Sequence, residues 1–114
     1  MRIEKKMITS NLLVDDADLI DLIDKFMVRL PILRDSINLA YSDNNQVEFF
    51  GLIHQLKGVG GGYGYPMLTE LCANIEMADK MGNDIDLLME EFNLMCEEIV
   101  AGNDENRKIA EANM

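Results

Sequence analysis

Apolar residues recur at helical spacing along most of the chain, and the breaks between these stretches are polar or rich in glycine. From Asp18 onward Leu19, Leu22, Ile23, Phe26 and Leu30 repeat at the interval of one helix face, with Asp15, Asp16 and Asp18 where a helix N-terminus favours negative charge. Pro31 interrupts the run. Proline fits the first turn of a helix, so residues 31–41 are expected to continue as a second helix after a bend. The polar residues 42–45, SDNN, then stop the chain and offer caps for a third helix, which carries His54. Gly64 followed by Tyr65 and Pro66 reads as helix exit, turn and new start. Leu68, Leu71, Cys72 and Ile75 mark the next helix, MGND at 81–84 supplies its exit and the following cap, and Ile85, Leu88, Phe92, Met95, Cys96 and Ile99 mark the last.

No stretch alternates with period two, and no Asn-Gly hairpin turn occurs. The pattern therefore predicts an all-α fold, an up-down antiparallel four-helix bundle over residues 15–101. Residues 1–14, with Leu12, Leu13 and Val14 as their one apolar patch, are expected to form an N-terminal arm whose additional helical segment caps the bundle. Residues 102–114 are polar and are expected to fray or to link onward.

Composition narrows the function classes. The 114 residues suffice for one domain with one core, and 48% hydrophobic residues make a folded chain the expectation. Ten basic against twenty-one acidic residues leave a net charge of −11. Such a surface repels phosphate backbones and anionic lipid, so neither nucleic acid nor membrane is an expected partner; it reads first as a solvated, solubilising face and otherwise as the complement of a basic protein. Cys72 and Cys96 stand 24 positions apart on core stripes, and with a single histidine the chain has no Cys/His set for zinc. The nine methionines, scattered among apolar stripes, read as core filler. No apolar run approaches a membrane span and no secretory signal opens the chain, so the cytoplasm is the expected compartment.

The chemistry concentrates in HQLKGVGGGYGYP, residues 54–66, which holds the one histidine and five of the eight glycines. On a helical wheel Phe49, Leu52, Leu56 and Val59 fall within roughly 40° of the pole opposite His54, while Phe50, Lys57, Gly58 and Gly61 lie within roughly 60° of it. The imidazole is therefore expected to be exposed. Each glycine in a helix interior costs about 1 kcal/mol relative to Ala, and close approach of another surface is the usual reason to accept it. Gly58 and Gly61 sit over the face of His54, where a side chain would lean back across the ring. Gly60 and Gly62 lie off that face. Lys57, one turn on, can meet an anion held on the imidazole, a phosphoryl group above all.

A nucleotide loop does not fit, because Lys57 precedes the glycines and the segment before them is helical. A Ser-His-Asp or Cys-His nucleophile lacks an oxyanion hole or pocket signal. An interaction module, a bundle that binds another protein without any chemistry on the histidine, stays open, although it has no need of the His54, Lys57 and Gly58 set.

His54, Leu56, Lys57, Gly58 and Gly64 together resemble the signature of histidine phosphotransfer (HPt) domains. The resemblance extends into LCANIE, with Leu71, Cys72, Ile75 and Glu76, and to Leu30 and Pro31, and covers about residues 15–100. It implies a four-helix bundle in which His54 takes a phosphoryl group from the aspartyl phosphate of a receiver domain and passes it to another. It further implies that Lys57 stabilises that group, that Glu76 orients the ring, and that small residues let the receiver dock; Phe50, Gly58, Gly61 and Lys80 are the candidate docking residues. For Glu76 an i,i+4 pair with Lys80 remains the alternative. Nothing resembles an ATP-binding lobe, so a carrier rather than an enzyme is implied. It would act as a monomer, free or within a sensor histidine kinase, with no cofactor of its own and Mg²⁺ only in the partner receiver. Where the family commonly has Ala or Ser this chain has Gly60, Gly61 and Gly62, so a locally looser helix is expected.

Overall fold

The computed structural model describes residues 6–114, so the first five positions of the expected N-terminal arm lie outside the described residues. Helix α1 spans Ile20–Ser42, α2 Gln46–Gly60, α3 Pro66–Lys80, α4 Asp86–Ala101 and α5 Asn103–Ala112. One turn of 3-10 helix, Ala17–Leu19, leads into α1, and another, Gly61–Tyr63, extends α2. The first four helices form the antiparallel bundle, and α5 folds back on the start of α1.

Helix α1 runs unbroken through Pro31, contrary to the expected bend into two helices. Proline cannot donate to the Met27 carbonyl, a loss of about 3 kcal/mol in a helix interior. Leu30, Ile37 and Ala40, on both sides of it, are buried in one core, and each fully buried large side chain contributes roughly 1.5–3 kcal/mol, enough to hold the two halves in line. The buried stripe is Ile20, Ile23, Phe26, Met27 and Leu30; Leu22 faces solvent.

The three expected helix exits share one device. Asn44, Gly64 and Gly82 adopt left-handed backbone, with φ of 56°, 91° and 72°. In each exit the next residue's N–H reaches back to a carbonyl five positions earlier, as in Asn45 to Ala40, Tyr65 to Gly60 and Asn83 to Ala78. Asn45 then caps α2, its side-chain oxygen accepting from the Glu48 N–H at 3.3 Å.

The expected additional N-terminal helical segment is present as the 3-10 turn Ala17–Leu19, just after the residues 1–14 where it is expected, and residues 6–10 run without helix along the bundle. The Ile8 N–H donates to Glu98 O at 3.1 Å, the Ser10 hydroxyl donates to Tyr63 O at 2.7 Å, and the Asn11 N–H donates to Gly64 O at 3.0 Å. Leu13 is fully buried. The polar tail does not fray: it is α5, anchored by a polar side chain where the sequence pattern looks for an apolar stripe. Asn106, fully buried, accepts from the Ser10 N–H at 2.8 Å and donates to the Tyr65 hydroxyl at 2.9 Å. Asp24 holds α5 from α1, pairing with Arg107 and accepting from Asn103. Gly102, between α4 and α5, is buried beneath the backbone of Ile8.

Tyr63 and Tyr65, embedded among glycines in the sequence, are core anchors. Tyr63 stacks on Phe26 with centroids 4.4 Å apart, and Tyr65 is fully buried. Cys72 and Cys96 are free and buried, as expected; burial is the main cause pushing both thiols up to about 12, so they stay protonated and behave as apolar residues.

Candidate functional site

The site is built by α2 and α3, the most extensively packed pair of helices. Helix α2 buries Phe49, Ile53, Leu56 and Gly60 and leaves the His54 side chain 63% exposed. Exposure of the imidazole is as the wheel implies, but the buried arc is rotated: Ile53 and Gly60 are inside, while Leu52 and Val59 are half-buried. Gly60 accounts for the rotation. A Cβ there would stand 3.0 Å from Thr69 Oγ1 and 3.4 Å from Leu68 Cβ, so the missing side chain lets α3 close against this flank of α2.

Glu76 reaches across from α3 with its side chain only 11% exposed. Its Oε2 lies 3.3 Å from His54 Nδ1 and its Oε1 3.2 Å from Lys57 Nζ. Burial alone would raise this carboxyl, but the hydrogen bonds and charges of Lys57 and His54 outweigh burial and hold it below the ordinary carboxylate range. At neutral pH Glu76 is therefore ionised and only accepts. A hydrogen bond to it requires the proton on Nδ1, which leaves Nε2 with the free lone pair.

The alternative pairing of Glu76 with Lys80 is not the one formed. Glu76 directs its two oxygens to α2, and the Lys80 ammonium lies over the Phe50 ring, 5.2 Å from its centroid. Phe50 in turn lies parallel to the imidazole, 8° between planes and 6.2 Å between centroids. Lys80, Phe50 and His54 thus form a short layered stack beside the Glu76 bridge.

The glycines divide by role. A Cβ on Gly58 would meet nothing within 4 Å and one on Gly61 would make only an ordinary contact, 3.5 Å from Thr69 Oγ1, so packing holds neither position to glycine. Gly64 carries the left-handed exit and lies against Ser10 and Asn11. Gly62 faces open space, and nothing in the structure explains it.

The sequence reading missed Thr69. Its hydroxyl accepts the Gly61 N–H and donates to the Lys57 carbonyl, both at 2.8 Å. The available signal was its position seven residues before Glu76, on the same face of α3. Of the larger surface concavities, one lies by Asp18, Ile20 and Arg107 and another by Met67, Leu71 and Met95; neither is lined by His54, Lys57 or Glu76.

The site is thus a histidine held by a carboxylate at Nδ1, with its side chain largely exposed on the face of an antiparallel helical bundle. The Hpt domain family model matches residues 21–102, which run from the start of α1 through Gly102, and the chain belongs to that family. No curated protein and no solved structure matches it significantly. The family places the chain in two-component signalling as a phosphotransfer domain, a class that works with receiver domains and kinases. No helix among the described residues is long and apolar enough to cross a membrane.

Proposed function

We propose that this chain is the phosphocarrier of a phosphorelay, with His54 Nε2 as the atom that accepts and returns the phosphoryl group. The observation that carries the reading is the Glu76 bridge, which holds the proton on Nδ1 and leaves the exposed nitrogen nucleophilic. In the transfer Nε2 forms a bond to phosphorus as the bond from phosphorus to the receiver's aspartyl oxygen breaks, and the aspartate leaves with the electron pair. The ring, still protonated at Nδ1, gains positive charge, and the ionised Glu76 stabilises that charge where it develops. Return to a second receiver is the same step reversed.

Lys57 serves from its ion pair with Glu76, 30% exposed and one turn from the ring, where its ammonium can turn to the phosphoryl oxygens. The open ground at Gly58 and Gly61, with Phe50 and Lys80 beside it, is the docking surface in this reading, and any Mg²⁺ required arrives with the partner's aspartate. The chain is then a carrier whose partner supplies most of the catalysis.

The test mixes the protein with a phosphorylated receiver domain and measures phosphate that is acid-labile and alkali-stable. Wild type is expected to take up label and His54→Gln none. Equal labelling of the two would remove His54 from the reaction, and binding without any labelling would make the domain an interaction module.

A further inference from the structure

Thr69 stands where α2 changes from α-helix to a 3-10 turn. The two groups its hydroxyl joins, the Lys57 carbonyl and the Gly61 N–H, are four residues apart, the pair an uninterrupted helix would bond to each other. A side chain from α3 thus enters the hydrogen-bond ladder of α2 directly below the residues of the site. It can do so because residue 60 is glycine: a Cβ there would crowd the hydroxyl at 3.0 Å and the Thr69 backbone nitrogen at 3.3 Å.

Two turns along α3, on the same face, Glu76 makes its bridge to His54 and Lys57. Helix α3 therefore holds α2 at two heights, by a hydroxyl on backbone groups and by a carboxylate on side chains. The upper contact is long, 3.3 Å to the ring and 3.2 Å to the ammonium, and a small slip of one helix along the other would break it. The lower contact is short at both ends, 2.8 Å, and its acceptor and donor belong to the main chain, which has no rotamer to relax into.

We propose that Thr69 is a positioning residue for His54: its hydroxyl pins the register of α3 on α2 so that Glu76 meets Nδ1 and the free lone pair stays on Nε2. Valine in place of Thr69 keeps the shape and removes the pin. The Lys57 carbonyl and Gly61 N–H can then close on each other as an ordinary helical bond, so the fold survives while the register is set by apolar packing alone.

The test reads the ring directly. In nitrogen-15-labelled protein, above the pH at which the imidazole titrates, the two ring nitrogens report which one carries the proton. Wild type and Thr69→Ser are expected to hold it on Nδ1, and Thr69→Val to shift population toward the Nε2-protonated form. Transfer from a phosphorylated receiver is expected to slow about tenfold in Thr69→Val, the order a misplacement of less than 1 Å produces, and to recover in Thr69→Ser. Gly60→Ala, which keeps the hydroxyl but crowds it, is expected to shift the tautomer in the same direction, and it carries the test should Thr69→Val not fold. A wild-type tautomer population in a folded Thr69→Val or Gly60→Ala, or a wild-type ring already protonated on Nε2, overturns the proposal. The rate arm rests on the phosphocarrier reading and the tautomer arm does not, so a wild type that takes no phosphate removes that reading and leaves Thr69 to be decided by the ring.

Discussion

Replacing Gly102 by alanine is expected to destabilise the protein, although its backbone conformation is open to any residue. The residue has right-handed backbone, φ −80° and ψ −3°, as the C-cap of α4 and the N-cap of α5, so its own conformation does not require glycine. A Cβ at this position, however, would lie 2.8 Å from Ile8 C and 2.9 Å from Ile8 N and closer still to Ile8 O. These are main-chain atoms, so the arm itself must lift.

Lifting it loosens the bonds of Ile8 to Glu98, Ser10 to Asn106 and Tyr63, and Asn11 to Gly64, four hydrogen bonds worth about 1 kcal/mol each. Together about 4 kcal/mol of stability is lost, which for a chain of this size lowers Tm by roughly 15 °C. Urea and thermal unfolding followed by circular dichroism give both numbers. In a chain shortened by its first nine residues the obstruction is gone, and the same substitution is expected to change stability by less than about 1 kcal/mol. A Gly102→Ala protein as stable as wild type in the full chain, or a substitution effect unchanged by shortening, would refute the reasoning.

Gly58 and Glu76 give two further tests. Gly58→Ala is expected to raise stability by roughly 0.5–1 kcal/mol, because its Cβ meets nothing and helix propensity acts alone. Gly58→Met is expected to fold equally well yet slow transfer from a receiver, measured as a higher receiver concentration for half-maximal rate; an unchanged value would show that this ground is not docked upon. For Glu76 the folded-state pKa lies below the unfolded one, so its contribution to stability is complete above the unfolded value and disappears as pH falls through the folded value. Glu76→Gln should therefore narrow the stability gap between pH 7 and pH 3 relative to wild type. Parallel curves for the two proteins in acid denaturation would contradict the bridge.

The exposed histidine, the four main helices and the three exits were legible because each rests on local rules: helical periodicity, left-handed caps and polar punctuation. Glu76 was legible through family resemblance, but its choice between Lys80 and His54 depends on the distance between two helices, which no spacing within one helix encodes. Pro31 misled because its local penalty is overridden by burial of Leu30 and Ile37 on both sides. Helix α5 escaped notice because its anchor is Asn106, whose value appears only when Ser10 and Tyr65, 96 and 41 residues away, are brought to it. Gly60 looked like mere tolerance of a small residue until Thr69 supplied the surface that comes close.

The arm's contacts also bear on the order in which the chain assembles. Ser10 meets residues 53 and 96 positions distant, whereas α2 and α3 face each other across a turn of a few residues. Loop-closure entropy favours the short connection first, so the hairpin that carries His54 can form early and the arm can settle only on a bundle whose two glycine clefts already exist. Native-state hydrogen exchange should accordingly find the arm opening at lower free energy than the helices beneath it. The histidine is thus carried by a hairpin that can close early, with the arm settling afterwards on its turn at Tyr63 and Gly64.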